Sequence, residues 1–473
     1  MQLGVSHGLH DVMSCEHLCD HGPAQGGSVL GVATRRWGWQ WMSAVLGCLA
    51  INPVVVAQTA EVDCESLPEP RVVIVHGDTQ SSMLAELGRV LRDAEEPMTL
   101  VHFPRSTCSV ASDVFEGQPI TFTMRYEPSQ AEDPDWDGTP LQCTTSGLTI
   151  DLGIGATFIS SCSESVQSLQ PQDVATFRGP VQAYGFVVPE GSLDAAGGGI
   201  TQEEAFFVFS GQGEAANAVP WTADPVADGT GTPSVYIRRS TTSTLLTSAN
   251  NVAPDLLPPD RWVGYRLEGQ EDRSSVVIAG VANAPTNLRE ATIGILGVEL
   301  YDRERDRLDI LAYQAEGQHY GYYPDSSPTG RDKRNVRDGH YVPWGYTEYL
   351  ARVDSAGEPV HPQVARLLQM VSGSEEVRLR SAAGVAEPFD MDALEVIAES
   401  GLIPDCAMEV SRTSDGGELA RYQPALPCGC FYETIQDPEL LEDVEWQAKC
   451  VSCNEEKPCA EGTCLRGYCE VQP

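Results

Sequence analysis

Residues 71–91, RVVIVHGDTQSSMLAELGRVL, carry the signals that decide the fold. An apolar run predicts a buried strand, and a loop containing glycine follows it. Met83, Leu84, Leu87 and Leu91 then recur at the spacing that places them on one face of a helix. A strand, a loop and an amphipathic helix in this order are typical of the opening of an α/β domain.

The same order recurs along the chain. PMTLVHFPRSTCSVASDVF (97–115) and PSVYIRRSTTSTLLTSANNVA (233–253) each indicate a strand, a polar loop and a helix, and GLTIDLGIGATFI (147–159) supplies a further strand. Thr201 and Glu204 stand at the spacing of a capping box ahead of a short helix. This alternation predicts parallel sheets that helices cover on both faces.

Length and charge narrow the class of protein. A chain of 473 residues is too long for one ordinary core and predicts two or three domains. Asp and Glu number 68 against 30 Lys and Arg, a formal charge of −38, which argues against nucleic acid or an anionic membrane as a partner. A small anion is not excluded, because a buried pocket holds its ligand with local donors.

The N-terminal region predicts export. Arg35 and Arg36 precede an apolar run over 41–56, and small residues suited to cleavage follow. We therefore interpret 1–57 as a signal peptide with a mis-assigned start, and expect a periplasmic or secreted protein. A twin-arginine signal and a lipid anchor at Cys48 stay open as alternatives.

The cysteines predict disulfides. Twelve lie between Cys64 and Cys469, an even number in an exported chain. Cys143 and Cys162 flank a predicted strand and are expected to form a local pair. Zinc is the alternative for the tail, but a disulfide knot fits an exported protein better, so neither a metal nor a cofactor is expected. Besides Cys64 and Cys108, the expected disulfide cysteines are Cys143, Cys162, Cys406, Cys428, Cys430, Cys450, Cys453, Cys459, Cys464 and Cys469.

Three loops carry the candidate binding residues. HGDTQSS (76–82), PRSTCS (104–109) and RRSTTST (238–244) each stand between a predicted strand and a predicted helix. Backbone N–H groups at a helix start, neighbouring hydroxyls and one guanidinium together suit a tetrahedral anion. The alternative is a set of polar surface turns, since Ser and Thr also cap helices.

With these loops, the chain resembles the periplasmic phosphate-binding proteins of ABC transporters over roughly 68–350. It is most similar to an exported, Cys-rich bacterial subgroup. The long signature GYYPDSSPTGRDKRNVRDGHYVPWG (321–345) and the closing CAMEVSRTSDGGELARYQPALPCGCFYE (406–433) carry this second resemblance. The family implies a type II, two-lobed periplasmic-binding-protein fold of the α/β class, here with a C-terminal Cys-rich extension.

The resemblance also implies a ligand site. Two departures from the family pattern stand out: Asp78 places a carboxylate where a hydroxyl is expected, and Gly155 and Ala156 replace a Ser-Asp pair whose carboxylate accepts a proton from phosphate. A carboxylate facing the pocket would repel phosphate unless it were protonated or turned away. The residues that fall on the family's binding positions are Asp78, Thr79, Ser106, Thr107, Arg238, Thr242, Ser243 and Thr244.

Domains and function follow from the same resemblance. We expect one lobe over 68–178 and 308–372, a second over 179–307, a helical or extended segment over 373–427 and a disulfide tail over 428–473. The function expected is capture of a small oxyanion, phosphate, by a monomeric, non-enzymatic protein that delivers it to an ABC permease. The alternative is a degenerate scaffold that acts as a secreted or surface interaction module. A serine hydrolase is disfavoured, because its Gly-x-Ser-x-Gly motif is absent from GYYPDSSPTG (321–330).

Overall fold

Strand β1 (Arg71–Gly77) is the first strand of the described chain and leads through a single 3₁₀ turn into helix α1 (Ser81–Arg92). The four apolar residues predicted for one face of this helix are all buried, with at most 2% of each exposed. The unit repeats as β2 (Thr99–Arg105) and α2 (Thr107–Glu116), as the sequence predicts. The computed structural model describes residues 62–470 except 194–197, 213–218, 222–233, 254–255 and 266–272.

Sixteen more strands and ten more helices follow in the described part of the chain. The strands are β3 (Met124–Tyr126), β4 (Leu141–Cys143), β5 (Leu152–Gly155), β6 (Val174–Pro189), β7 (Gly199–Thr201), β8 (Ser234–Tyr236), β9 (Thr292–Gly297), β10 (Leu308–Ile310), β11 (Ala312–Gln314), β12 (Trp344–Arg352), β13 (Arg378–Arg380), β14 (Asp390–Asp392), β15 (Val410–Ser411), β16 (Ala420–Arg421), β17 (Thr463–Leu465) and β18 (Tyr468–Glu470). The helices are α3 (Glu164–Gln167), α4 (Gln202–Phe209), α5 (Ser243–Val252), α6 (Ser274–Ala282), α7 (Val298–Tyr301), α8 (Arg334–Arg337), α9 (Pro362–Ser372), α10 (Ala393–Glu399), α11 (Gly429–Gln436) and α12 (Val444–Lys449).

The main sheet runs in the order β4-β3-β2-β1-β5-β12-β6-β9-β8, with β10 also paired to β6. Strands β1, β2 and β5 are parallel, and so are β8 and β9. The two parallel groups are joined by β12 and β6, which pair antiparallel with each other and with their neighbours β5 and β9. The α/β class is confirmed, but the expectation of parallel sheets is wrong at the centre, because β12 and β6 run antiparallel to every strand beside them in the main sheet.

The sixteen-residue strand β6 crosses the predicted lobe boundary at residue 178. The lobe boundaries themselves stay a prediction. The capping box is confirmed, since Thr201 Oγ1 accepts from the Glu204 N–H while the Glu204 carboxylate accepts from the Thr201 N–H. Within the segment expected to be helical or extended, 373–427, β13 and β14 form a hairpin just ahead of α10.

All twelve cysteines from Cys64 to Cys469 are paired. The expected pair Cys143–Cys162 is wrong. Cys143 lies in the edge strand β4, where the Cys64 N–H donates to the Thr144 carbonyl and brings Cys64 within bonding distance, while Cys162 faces Cys108 on α2. The six disulfides are Cys64–Cys143, Cys108–Cys162, Cys406–Cys428, Cys430–Cys450, Cys453–Cys464 and Cys459–Cys469.

The tail is therefore a disulfide-bonded extension rather than a thiolate metal centre. The sulfurs of Cys453, Cys459 and Cys469 lie within 4.8 Å of one another, but each belongs to a disulfide. The expected signal peptide, its possible twin-arginine form and the alternative lipid anchor at Cys48 fall outside the described residues. Within the described ranges, no helix combines the length and the apolar character needed to cross a membrane.

Candidate functional site

All eight predicted binding residues line one small cavity of about 10 Å³. Gly77 and Arg105 complete its wall. This volume accommodates about one water molecule, which is less than a phosphate ion requires. The three loops thus meet around one small cavity, and they leave no room in it for a phosphate ion.

The fold brings the loops together through the ends of their strands. Each loop follows the carboxyl end of a strand that is parallel to its neighbour, β1 beside β2 and β8 beside β9. A direct backbone contact ties the groups to each other, since the Cys108 N–H donates to the Thr241 carbonyl over 3.3 Å. Helices α2 and α5 begin at Thr107 and Ser243, so their first turns face the same cavity.

Three hydroxyls at the cavity are buried without a hydrogen-bond partner among the described residues. They belong to Thr79, Thr107 and Thr244, which are 4%, 1% and 2% exposed. A buried hydroxyl that makes no hydrogen bond costs about 1–3 kcal/mol, so three at one point indicate a ligand or water. The other hydroxyls are engaged: Thr242 donates to the Arg239 carbonyl at 2.8 Å, and Ser106 bonds Ser109 at 2.8 Å.

Arg238 supplies the positive charge, and Asp78 already contacts it. The Arg238 side chain is 4% exposed, and its Nη1 donates to Asp78 Oδ2 at 3.3 Å and to Ser274 Oγ at 2.5 Å. The same Asp78 oxygen accepts from the Ser274 N–H, the first residue of α6, at 3.1 Å. Asp78 therefore places an oxygen anion between the guanidinium and a helix N-terminus, as a bound oxyanion would.

A larger cavity of about 340 Å³ adjoins this point and shares Asp78, Arg105, Ser106, Arg238 and Thr242 with it. Five arginines line it, and Asp78 is the one carboxylate among its described lining residues. Sequence reasoning identified only Arg238 and missed the other four. The arginines are Arg105, Arg125, Arg238, Arg239 and Arg273.

A buried chain of side chains supports the loop that carries Asp78. His76 Nδ1 lies 2.7 Å from the Gly77 carbonyl, His76 Nε2 lies 2.9 Å from His102 Nδ1, and His102 Nε2 lies 3.0 Å from Glu127 Oε1. All three residues are at most 1% exposed. Burial lowers the pKa of His76 and of His102 to about 3, and burial raises the pKa of Glu127 well above its ordinary value.

These pKa shifts fix the protons in the chain. The Gly77 carbonyl can only accept, so the proton of neutral His76 is on Nδ1. His76 Nε2 then accepts from His102 Nδ1–H, and His102 Nε2 accepts from the protonated Glu127 carboxyl. This row of three side chains is electrically neutral. Its donors point toward Gly77, immediately before Asp78. No local sequence pattern predicts the row, because His76 lies on β1, His102 on β2 and Glu127 directly after β3.

A buried carboxylate from a distant part of the chain lies near Gly155 and Ala156, but it does not replace the one that they lack. Asp415 is buried and accepts from Thr157 Oγ1, from Ser161 Oγ at 2.6 Å and from the Phe158 N–H at 3.1 Å. Burial raises the pKa of Asp415. It does not line either cavity, and its oxygens are used by these donors, so we assign it a structural role.

Comparison with known proteins adds little to this geometry. No family model matches the chain, and no curated protein does. Among solved structures, it is similar to an ABC-type phosphate transport receptor from Vibrio cholerae, with a TM-score of 0.39, 12% identity, and coverage of 70% of this chain and 99% of that one. It is also similar to PstS from Borrelia burgdorferi, with a TM-score of 0.36, 11% identity, and coverage of 71% and 99%.

Other solved structures match at the same level. An OxyR protein from Corynebacterium glutamicum has a TM-score of 0.34 and 8% identity, covering 63% of each chain. Identities and TM-scores in this range do not separate one function from another. The side chains of the site therefore bear on function more directly than these similarities do.

Proposed function

We propose that this chain is an extracytoplasmic solute-binding protein that holds a small oxyanion, phosphate, at the cavity where its three loops meet. The supporting observation is the convergence of Arg238 with three buried hydroxyls that make no hydrogen bond in the described structure. A guanidinium beside free hydroxyl donors matches a tetrahedral anion, which accepts from several directions. No candidate pair of nucleophile and general base lines the cavity among the described residues, which favours binding over catalysis.

Binding requires Asp78 to leave Arg238. The cavity in its closed form has room for about one water molecule, so an oxyanion enters only after the loops separate. Once Asp78 turns away, the ligand takes over its two donors, Arg238 Nη1 and the Ser274 N–H. The hydroxyls of Thr79, Thr107 and Thr244 then complete its coordination. Such opening matches a hinge between the two predicted lobes.

The wider role follows from the predicted export. A periplasmic or secreted monomer that captures an anion reversibly would pass it to an ABC permease in the membrane. Export by a signal peptide over 1–57 and delivery to the permease are both parts of the proposed function.

One observation favours a second function. Asp78 already satisfies both Arg238 and the start of α6, so the anion position is filled from within the chain. A permanent internal anion would make the protein a degenerate scaffold, an interaction module that binds no phosphate.

Calorimetric titration of the refolded mature chain with phosphate and sulfate separates the two functions. We expect phosphate to bind, and Arg238→Ala to weaken binding ~30-fold or more, since loss of a buried charged donor costs on the order of 2–5 kcal/mol. Arg421, exposed on β16 and remote from both cavities, provides the matched control in Arg421→Ala. No binding by wild type or by Asp78→Ser would favour the interaction module, and equal binding by Arg238→Ala would remove Arg238 from the site.

A further inference from the structure

Arg125 is a partly buried guanidinium that has no hydrogen bond or ion pair with any described residue. It lies on β3, opposite His102 of β2, and faces the larger cavity. Burial and the nearby charge of Arg273 both lower the pKa of Arg125. An arginine keeps its charge at physiological pH, so this arrangement leaves a positive charge poorly compensated inside the protein.

The acidic groups nearest to Arg125 are used elsewhere. Asp78 contacts Arg238 and Ser274, and Glu127 is protonated in the histidine chain. Arg273 is exposed at the start of α6 and likewise has no ion pair with a described residue. Arg125 and Arg273 thus line the same cavity, close enough for their charges to repel each other.

Buried arginines elsewhere in the described chain have polar partners, including Arg412, which donates to Asn251 Oδ1 and to the Trp344 carbonyl. Arg305 contacts Asp302 and Asp325, and Arg337 contacts Glu433 at 2.7 Å. An excess of acidic residues, 68 against 30 basic ones, makes carboxylate partners easy to supply. At this cavity Arg105 pairs with Asp113, but Arg125 and Arg273 have no ion pair with a described residue, and their mutual repulsion disfavours the unliganded fold.

The two cavities share a wall, and their contents differ. The small one offers hydroxyls and two arginines, Arg105 and Arg238, whereas the larger one, of about 340 Å³, adds the guanidinium groups of three more. Arg125 and Arg273 lie only in the larger cavity, so a single small oxyanion in the hydroxyl site would not use them. A ligand with two linked anionic groups would use both cavities.

We propose that the site is built for a diphosphate, an inorganic or organic pyrophosphate. One phosphoryl group would lie in the small cavity, called the hydroxyl cavity below, and Arg125 and Arg273 would hold the second. This rests on the proposed function, because the same loops hold the first phosphoryl group. Guanidinium groups suit the second phosphoryl group because each can donate two parallel hydrogen bonds to its oxygens.

The test compares inorganic pyrophosphate with orthophosphate by calorimetry on the refolded mature chain. We expect wild type to bind pyrophosphate at least ~10-fold more tightly, since two charged contacts are added. Arg125→Gln should lower the ratio of pyrophosphate to phosphate affinity ~10-fold, Arg273→Gln should lower it in the same direction, and Arg421→Gln should leave it unchanged. Equal affinity of wild type for the two anions, or a ratio that Arg125→Gln does not change, would overturn the proposal.

A second readout separates a binding role for Arg125 from a structural one. If Arg125 serves the ligand, Arg125→Gln removes an uncompensated charge, and the urea midpoint of the unliganded chain stays the same or rises. A lower midpoint would assign Arg125 to the fold and contradict the proposal. The outcomes also distinguish the two functions. Phosphate binding without a preference for pyrophosphate refutes only the diphosphate inference, whereas pyrophosphate binding without phosphate binding refutes only the phosphate ligand.

Discussion

Asp78→Ser should convert the site into a stronger anion receptor. Asp78 is the one carboxylate that lines either cavity in the described structure, and it occupies the donors that a ligand needs. Two unit charges 4 Å apart repel by about 4 kcal/mol at an effective dielectric constant of ~20. A quarter of the Asp78 side chain is exposed, so screening by solvent reduces this to about 1–2 kcal/mol. We expect phosphate to bind ~5- to 30-fold more tightly.

The same substitution should weaken the unliganded fold. Arg238 and the Ser274 N–H lose a charged acceptor, which costs about 1–3 kcal/mol. Calorimetric titration and urea unfolding measure the two effects on one preparation. Asp306→Ser is the control, because Asp306 is exposed and lies outside both cavities. A variant that binds no more tightly than wild type, or that is more stable without ligand, would refute the view that Asp78 acts as an internal anion.

Three further predictions concern the rest of the chain. Glu127→Gln should gain stability relative to wild type as pH rises from about 4.5, by up to ~1.4 kcal/mol per pH unit. The reason is that the pKa of Glu127 is raised in the folded state, so the stability that its protonated carboxyl contributes is lost as pH rises through the folded-state pKa. Urea midpoints measured across pH would show a constant difference if Glu127 were ionised in the fold. Asp415→Ala should lower the free energy of unfolding by about 3 kcal/mol or more, since Thr157 and two further donors lose their acceptor, and an effect under ~1 kcal/mol would contradict the network. Thiol labelling of the denatured, unreduced chain from residue 58 should find no free cysteine, and two reactive thiols per chain would contradict the six disulfides.

Local patterns predicted the units that form the hydroxyl cavity. The apolar face of α1 and the capping box at Thr201 depend on residues a few positions apart, so the sequence displays them directly. The loops at 76–82, 104–109 and 238–244 follow strands whose carboxyl ends share an edge with a parallel neighbour. Their convergence is thus a geometric consequence of the strand order, and the structure brings all eight residues to one cavity.

Contacts that depend on register or on distant segments were beyond sequence reasoning. Arg125 reaches the larger cavity because β3 meets β2 at His102, and nothing in the sequence near Arg125 indicates that pairing. The pairing of Cys143 with Cys64 depends on where the segment ahead of β1 meets the end of β4. The reversed direction of β6 and β12 likewise depends on the whole sheet, since their own apolar sequences suit either orientation.

The position of Asp415 has a consequence for the order in which the chain can fold during synthesis. Its carboxylate lies beneath the loop that follows β5, and Ile403 pairs with Val181 of β6 through two backbone hydrogen bonds. Arg412, from the same segment, lies 4.0 Å from the ring of Trp344 and donates to the Trp344 carbonyl. A growing polypeptide cannot complete the surroundings of its central strands until residues 403–415 have followed, so a chain that stops near residue 400 would leave these strands open to proteases.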